Sequence, residues 1–176
     1  RNTTIRGTNL LQQDFHLWEE SQELSFRFRF SERTGLNQYA AGIEESYFRE
    51  RSLRIKFKMV QEISNQTELV NQTDNVSAPS ANRTRSITSN NVITDFSYRP
   101  EKNIEVGFKL KVGRSSDEFP ANPTVIDLNS QSLRFNLSFA GSGRLRAEVE
   151  RAELTSNTLE NYLPFELTGG NQIGKN

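Results

Sequence analysis

A strict alternation of apolar and polar residues constrains this fold more than any other feature of the chain. In LSFRFRF (24–30), Leu24, Phe26, Phe28 and Phe30 alternate with Ser25, Arg27 and Arg29. Successive side chains of a β-strand point to opposite faces, whereas a helix would distribute the same residues around its axis. The segment therefore predicts a strand with one apolar and one cationic face. What the apolar face contacts, a protein core or lipid, is the question that follows.

The same alternation recurs along most of the chain. It is clear in segments 52–59, 103–113, 132–139 and 144–150, and weaker in 90–99. Segment 66–73 is nearly all polar and is included because the connectivity requires a return strand. Residues 1–20 have no usable period and are assigned as an N-terminal extension or partial strand. Residues 21–176 are assigned to one β-barrel-like domain, incomplete at its C-terminus. The prediction is an all-β, antiparallel up-and-down meander of about seven or eight long strands.

Two hairpins test this prediction, because residues on the same face must pair across a turn. Residues 141–143 (Gly-Ser-Gly) supply an odd-numbered turn in which glycine can adopt positive φ. Residues 100–102 supply a second turn, which begins with proline. The predicted alignments are Phe139 with Leu145, Leu137 with Ala147, Phe135 with Val149, Asn136 with Glu148 and Arg134 with Glu150 in the first hairpin, and Tyr98 with Ile104 and Phe96 with Val106 in the second.

The predicted connections alternate between long and short. Segments 31–46, 73–86 and 114–124 are interpreted as long polar loops, and those near residues 63–66, 100–102 and 141–143 as short turns. Outer-membrane barrels have short turns at one end and longer loops at the other. A tilted spanning strand needs about 9–11 residues, which the clearest segments provide. The pattern therefore favours an outer-membrane β-barrel or a segment of one.

The alternation divides the strand residues into two candidate surfaces. A charged face, predicted to line a hydrated interior, comprises Arg27, Arg29, Arg54, Lys56, Lys58, Lys109, Lys111, Arg134, Arg146, Glu148 and Glu150. An apolar face, predicted to contact lipid or a core, comprises Phe26, Phe28, Phe30, Ile55, Phe57, Val106, Phe108, Leu110, Phe135, Leu137, Phe139 and Val149.

Composition argues against several chemistries. Lys+Arg and Asp+Glu both number 22, so the chain lacks the net positive charge that attracts nucleic acid. It contains no cysteine and one histidine, His16, which excludes thiolate sites and leaves little for a catalytic triad or histidine metal site. Glu148 and Glu150 are better explained as a charge ladder on one strand than as a catalytic pair. We therefore predict no catalytic, cofactor-binding or metal-binding residues, and a non-enzymatic protein.

Three stretches carry a resemblance: SNNVITDFSYRPEKNIEVGFKLKVGRSSD (89–117), SLRFNLSFAGSGRLRAEVERAEL (132–154) and LPFELTGG (163–170). They resemble the C-terminal part of large, poorly characterised cell-envelope proteins of Gram-negative bacteria, a region that looks like outer-membrane β-barrel sequence. Giant translocon-type barrels, such as the protein-export channel of gliding bacteria, are among the candidate parents. The resemblance implies an outer-membrane location and passage of solutes or polypeptide, or anchorage. It also implies outer-membrane lipid and further strands or chains as partners, without nucleic acid.

Two other interpretations of the sequence remain open. The chain could be a soluble periplasmic or surface module, either a β-sandwich or an open β-groove, that binds lipid or glycan. It could also be an adhesive or structural surface domain whose long loops make the contacts. In a sandwich, the apolar rows would pack against each other and the charged face would meet water.

Overall fold

Eight long strands form one antiparallel sheet in sequential order, which confirms the predicted all-β up-and-down meander. The structure, a computed structural model, describes residues 5–19, 21, 23–39, 42–78, 83–118, 123–139, 143–158 and 174–175. The strands are β1 (Ile5–Leu17), β2 (Leu24–Tyr39), β3 (Gly42–Val60), β4 (Ile63–Ala78), β5 (Arg83–Glu101), β6 (Ile104–Asp117), β7 (Thr124–Phe139), β8 (Gly143–Ser156) and the two-residue β9 (Gly174–Lys175). Among the described residues there is no helix of the length and apolarity needed to cross a membrane.

The segment without a recognisable period forms strand β1. It pairs with β2 along its whole length, from Ile5 opposite Gln38 to Leu17 opposite Phe26. Polar residues such as Asn9 and Gln13 interrupt its apolar face. The hydrophobic period is therefore lost, although the backbone of β1 still pairs with β2. This strand supplies the eighth member of the sheet. The weakly patterned segment 66–73 also lies within a full strand, β4.

The predicted alternation of long and short loops is wrong. The segments interpreted as long loops are mostly strand, and the connections between β1 and β8 contain only two to six residues at both ends of the sheet. Only residues 40 and 41 separate β2 from β3 within the segment predicted as a 31–46 loop. Both faces are largely polar there, so the hydrophobic period disappears while the hydrogen-bonded ladder continues. The strands therefore reach 13–19 residues.

The β7–β8 hairpin has the predicted parity but a different register. Phe139 pairs with Gly143 and Arg134 with Glu148, two residues from the predicted partners, and residues 140–142 connect the strands. Gly143 belongs to the ladder rather than the turn, with a φ of 144°. Side chains are rarely tolerated at this φ, which glycine adopts freely. A shift of two residues leaves every side chain on its predicted face.

The β5–β6 hairpin shows a second shift of two residues. Tyr98 pairs with Val106 and Phe96 with Phe108, rather than with the predicted partners. Pro100 lies inside β5, at the register irregularity between Tyr98 and Glu101, and residues 102–103 make the connection. A bulge accommodates proline because its nitrogen need not donate to the ladder. Each side chain again lies on its predicted face.

The sheet is curved, with the charged face on its concave side. Ile87 on β5 and Ile126 on β7 belong to one buried cluster with Leu154 on β8. Strands two positions apart are about 9.6 Å apart in a flat sheet, which is too far for two isoleucine side chains to pack, so this cluster indicates curvature towards the charged face.

The described residues contain little apolar core. Their buried apolar side chains are Val76, Ala78, Ile87, Ile126 and Leu154. The chain exposes 12430 Å² of accessible surface, whereas a compact protein of 20.2 kDa exposes about 8800 Å². One curved layer thus leaves most of its large apolar side chains uncovered.

Candidate functional site

The strand registers place the two predicted residue sets on opposite faces of the sheet. All twelve predicted apolar residues lie on one face, where for example Phe26 pairs with Ile55 and Val106 with Phe135. All eleven predicted charged residues lie on the other face, where Arg27 pairs with Arg54 and Arg134 with Glu148. We call these the apolar face and the charged face.

On the apolar face, most of the large apolar side chains lie in a band across the strands, whereas Leu36, Ile43 and Val125 lie on this face outside the band. The band comprises the apolar-face positions within 11–17, 24–30, 53–57, 63–69, 92–98, 104–112, 133–139 and 145–149 on β1 to β8. We call the end of the sheet with the β1–β2 and β3–β4 connections the lower end, and the opposite end the upper end. Above the band the same face becomes polar, and its first residues are Asn9, Glu32, Arg51, Asn71, Asn90, Arg114, Gln131 and Arg151 on β1 to β8.

The apolar band is exposed, while part of the charged face is buried. Leu133 is 56% exposed and Val149 is 72% exposed. On the charged face, the neighbouring Ser132 and Asn136 are 8% and 7% exposed. Water-soluble proteins bury large apolar side chains and expose polar ones. This part of the sheet has the reverse arrangement.

The apolar band slants across the sheet. One row of paired residues, perpendicular to the strands, joins Leu24 on β2 to Leu133 on β7. Leu24 is the lower limit of the band on β2, but the lower limit on β7 is Phe139, six residues beyond Leu133. Six residues of about 3.4 Å, across five strand spacings of about 4.8 Å, correspond to a slant of about 40°. The strands therefore tilt by about 40° from the normal to the band.

Behind the band, the charged face carries ion pairs that cross from strand to strand. Arg54 donates to both carboxylate oxygens of Glu68 at 3.0–3.3 Å. Arg27 makes a two-point contact with Asp14, at 2.9 and 3.0 Å. Sequence reasoning missed these carboxylates because they lie on β1 and β4, the strands with the weakest alternation. The pairs fix the arginines against the wall formed by the sheet.

The cation set on this face is larger than the carboxylate set. Opposite the band, the cations are Arg27, Arg29, Arg54, Lys56, Lys58, Lys109, Lys111, Arg134, Arg144 and Arg146, and the carboxylates are Asp14, Glu68, Asp95, Glu105, Glu148 and Glu150. Within the described part of the chain, the four lysines form no ion pair. The concave surface is therefore locally positive although the whole chain is neutral.

Gly107 provides space for Arg134, which bridges two strands. Arg134 lies 3.2 Å from Glu105, and a Cβ placed on Gly107 would come within 2.9 Å of its guanidinium. We expect Gly107→Ala to displace the guanidinium and lower the free energy of unfolding by about 1 kcal/mol. Denaturant titration measures this cost, and the same substitution in an Arg134→Leu background should cost much less. Equal costs in both backgrounds would contradict the contact.

Above the band, cations and aromatic rings meet at the polar boundary. The Arg51 guanidinium lies 5.9 Å from the Phe30 ring centroid. Arg114 forms a two-point pair with Asp127, at 2.6 and 3.1 Å. The hydrogen bond from Arg114 lowers the pKa of the Asp127 carboxyl, so this pair stays charged at neutral pH. On the apolar face, Arg51 thus directly follows Leu53 and Arg114 directly follows Val112, the last apolar residues of the band on their strands.

The remaining candidates for chemistry, His16, Glu148 and Glu150, lie beside charged or polar partners. His16 Nδ1 lies 3.2 Å from Glu19, and its Nε2 lies 3.9 Å from Asp14. Glu148 pairs with Arg146 at 2.9 Å, and Glu150 accepts a hydrogen bond from Ser130 at 2.6 Å. Across the described ranges, no group of three or more His, Cys, Asp or Glu could hold a metal ion. No family model, curated protein or solved structure matches this chain.

Proposed function

We propose that this chain forms part of the wall of an outer-membrane β-barrel, with its apolar band in lipid and its charged face towards a hydrated interior. The observation that carries the proposal is the exposed apolar band on the convex face, backed by ion pairs on the concave face. An apolar band facing outward and a polar surface facing inward are what a bilayer-spanning barrel requires. In water, the same band would be an unfavourable apolar surface.

The slant of the band supports this orientation. Strands of outer-membrane barrels tilt by about 35–45° and carry an apolar band about 25 Å tall. The band slants by about 40°, and it is tallest on β6, where residues 104–112 extend about 27 Å along the strand and rise about 21 Å at that tilt. On the other strands it is shorter and rises about 10–16 Å. A level slab of hydrocarbon across tilted strands therefore accounts for the stagger of the apolar residues.

The proposed role is passage of solutes or polypeptide across the outer membrane, or anchorage in it, without enzymatic chemistry. The positive concave surface would contact anionic and polar cargo through fixed guanidinium and ammonium groups. An eight-stranded barrel is filled by its own side chains, so passage requires additional strands. In the described part of the chain, β1 and β8 do not pair with each other. Further strands or chains, as in the large envelope proteins that this sequence resembles, are the proposed partners.

Cysteine scanning along β6 tests the orientation, because the chain has no native cysteine. We expect spin labels at Phe108→Cys and Leu110→Cys, in lipid vesicles, to collide with oxygen dissolved in the bilayer. Labels at the adjacent Lys109→Cys and Lys111→Cys should instead collide with a water-soluble nickel chelate. The adjacent positions serve as matched controls, since they share one strand and one depth. Uniform water accessibility at all four sites would reject the proposal.

A soluble module with an open β-groove is the second candidate, and the largely polar upper half of the sheet favours it. The described residues form one sheet, so a sandwich would need a second sheet from elsewhere. Removal of detergent separates the two candidates. The membrane protein should aggregate through its apolar band, whereas a soluble module should remain monodisperse.

A further inference from the structure

A trough crosses the apolar face above the band, and its position follows from the strand registers. It has a volume of about 740 Å³ and is lined by three consecutive residues from each of β1 to β5. In every triplet the outer two residues point to the apolar face. The trough therefore consists of two adjacent rows of side chains running across five strands, about 19 Å from β1 to β5.

The two rows have a composition rich in uncharged hydrogen-bonding groups. The row nearer the band is Asn9, Thr34, Tyr47, Asn75 and Ser86. The second row is Gly7, Leu36, Glu45, Ser77 and Thr84. Among the described residues, the side chains of Asn9, Thr34 and Thr84 have no hydrogen-bond partner, so their donors and acceptors are available to a ligand.

We propose that this trough binds a neutral oligosaccharide. Sugar hydroxyls both donate and accept hydrogen bonds, as do the Asn, Ser and Thr side chains of the two rows. Tyr47 lies in the middle of the trough, and the Arg49 guanidinium lies 5.9 Å from its ring centroid. The other side of the ring would pack against the apolar C–H face of a sugar. The volume also lies within the range of about 300–1,000 Å³ typical of ligand sites.

The charge and backbone of the trough disfavour other ligands. Glu45 is the one charged side chain that the two rows contribute. The adjoining row of the same face adds Glu32 and Arg49, whose charges are opposite, so the trough has no net positive charge to attract anions. Arg85 lies on the opposite face and pairs with Asp74 at 2.8 Å. An extended peptide would add to a free sheet edge, but the trough crosses strands whose backbone groups already pair with their neighbours. Side-chain hydrogen bonds therefore remain the principal means of recognition.

Calorimetry with the full chain tests the proposal. The detergent should have a phosphocholine headgroup, because a sugar headgroup would compete for the trough. We expect at least one of maltohexaose, cellohexaose and chitohexaose to bind saturably. Tyr47→Ala should weaken binding by about tenfold or more. Tyr98→Ala, which removes a tyrosine of the same face at the lower limit of the band, should leave it unchanged.

A second variant tests the trough without removing any contact of the fold. A Cβ placed on Gly7 meets no atom within 4 Å, so Gly7→Trp should fold normally and fill the trough. We expect it to abolish sugar binding while the circular dichroism spectrum is unchanged. The proposal is overturned if none of the three sugars binds up to about 10 mM. Binding that survives both trough variants, or saturable binding of an extended neutral peptide instead, would also overturn it.

The sugar could be free or part of a glycolipid, since both present the same chemistry. Co-sedimentation with vesicles that contain lactosylceramide, compared with plain phosphocholine vesicles, separates the two sources. Enhanced binding that Gly7→Trp removes would identify a glycolipid. Equal binding to both vesicles, with hexasaccharide binding retained, would identify a free oligosaccharide. The trough exists whatever the band contacts, so this test does not depend on the proposed membrane role.

Discussion

Replacing Phe108 by arginine should strongly weaken insertion of the chain into lipid. Phe108 lies at the centre of the apolar band on β6 and is 44% exposed. An arginine on the lipid face at the bilayer midplane costs about 2–4 kcal/mol. That cost corresponds to a fall of about 30- to 700-fold in the ratio of inserted to unfolded protein. Urea titration of chain folded into vesicles, followed by the fluorescence of its one tryptophan, Trp18, measures the change.

Two variants control for effects unrelated to the bilayer. Lys109→Arg places an arginine one residue away on the charged face and should leave the titration midpoint unchanged. Phe108→Leu keeps position 108 apolar and should cost far less than the arginine. If Phe108→Arg inserts as well as Lys109→Arg does, the apolar band does not face hydrocarbon.

The second large effect is expected at Arg134, on the charged face. Its guanidinium lies 3.2 Å from Glu105 and 3.7 Å from Asp95, and its side chain is 26% exposed. Arg134→Leu would remove the cation that these two carboxylates share; Glu105 would keep its pair with Arg99 at 3.0 Å, and Asp95 would lose its cation. Because hydrogen bonds to charged groups contribute about 1.5–3 kcal/mol, we expect unfolding to become easier by about 2 kcal/mol. Denaturant titration of the folded chain measures the loss.

The matched comparison for this effect is Lys111→Leu, which removes a cation that has no ion pair in the described part of the same face. It should change stability by less than about 0.5 kcal/mol. Adding Asp95→Asn to Arg134→Leu should restore part of the loss, because the carboxylate that was left without a cation is removed. A double variant that is no more stable than Arg134→Leu would mean that this carboxylate is not the cause.

The face of each side chain could be predicted from the sequence, but the detailed pairing could not. In both hairpins the observed register differs from the predicted one by two residues. Gly143 and Pro100 were predicted to lie in the turns but belong to strands, so the ladders extend into the predicted turns. Residues 1–20 were predicted only as an extension or partial strand, and the upper halves of β2 to β5 were predicted as loops, since polar residues on both faces leave no hydrophobic period. The trough lies within that region and was missed for the same reason.

The alternation of residues alone determined that this chain forms strands with one apolar and one charged face. The face that a side chain occupies depends on whether its position in the strand is odd or even, and a shift of two residues does not change that. Only the tertiary structure decided which face is concave, which carboxylates meet Arg54 and Arg134, and that the apolar band slants across the sheet. Curvature and stagger depend on registers between strands far apart in the sequence, and no single segment contains that information.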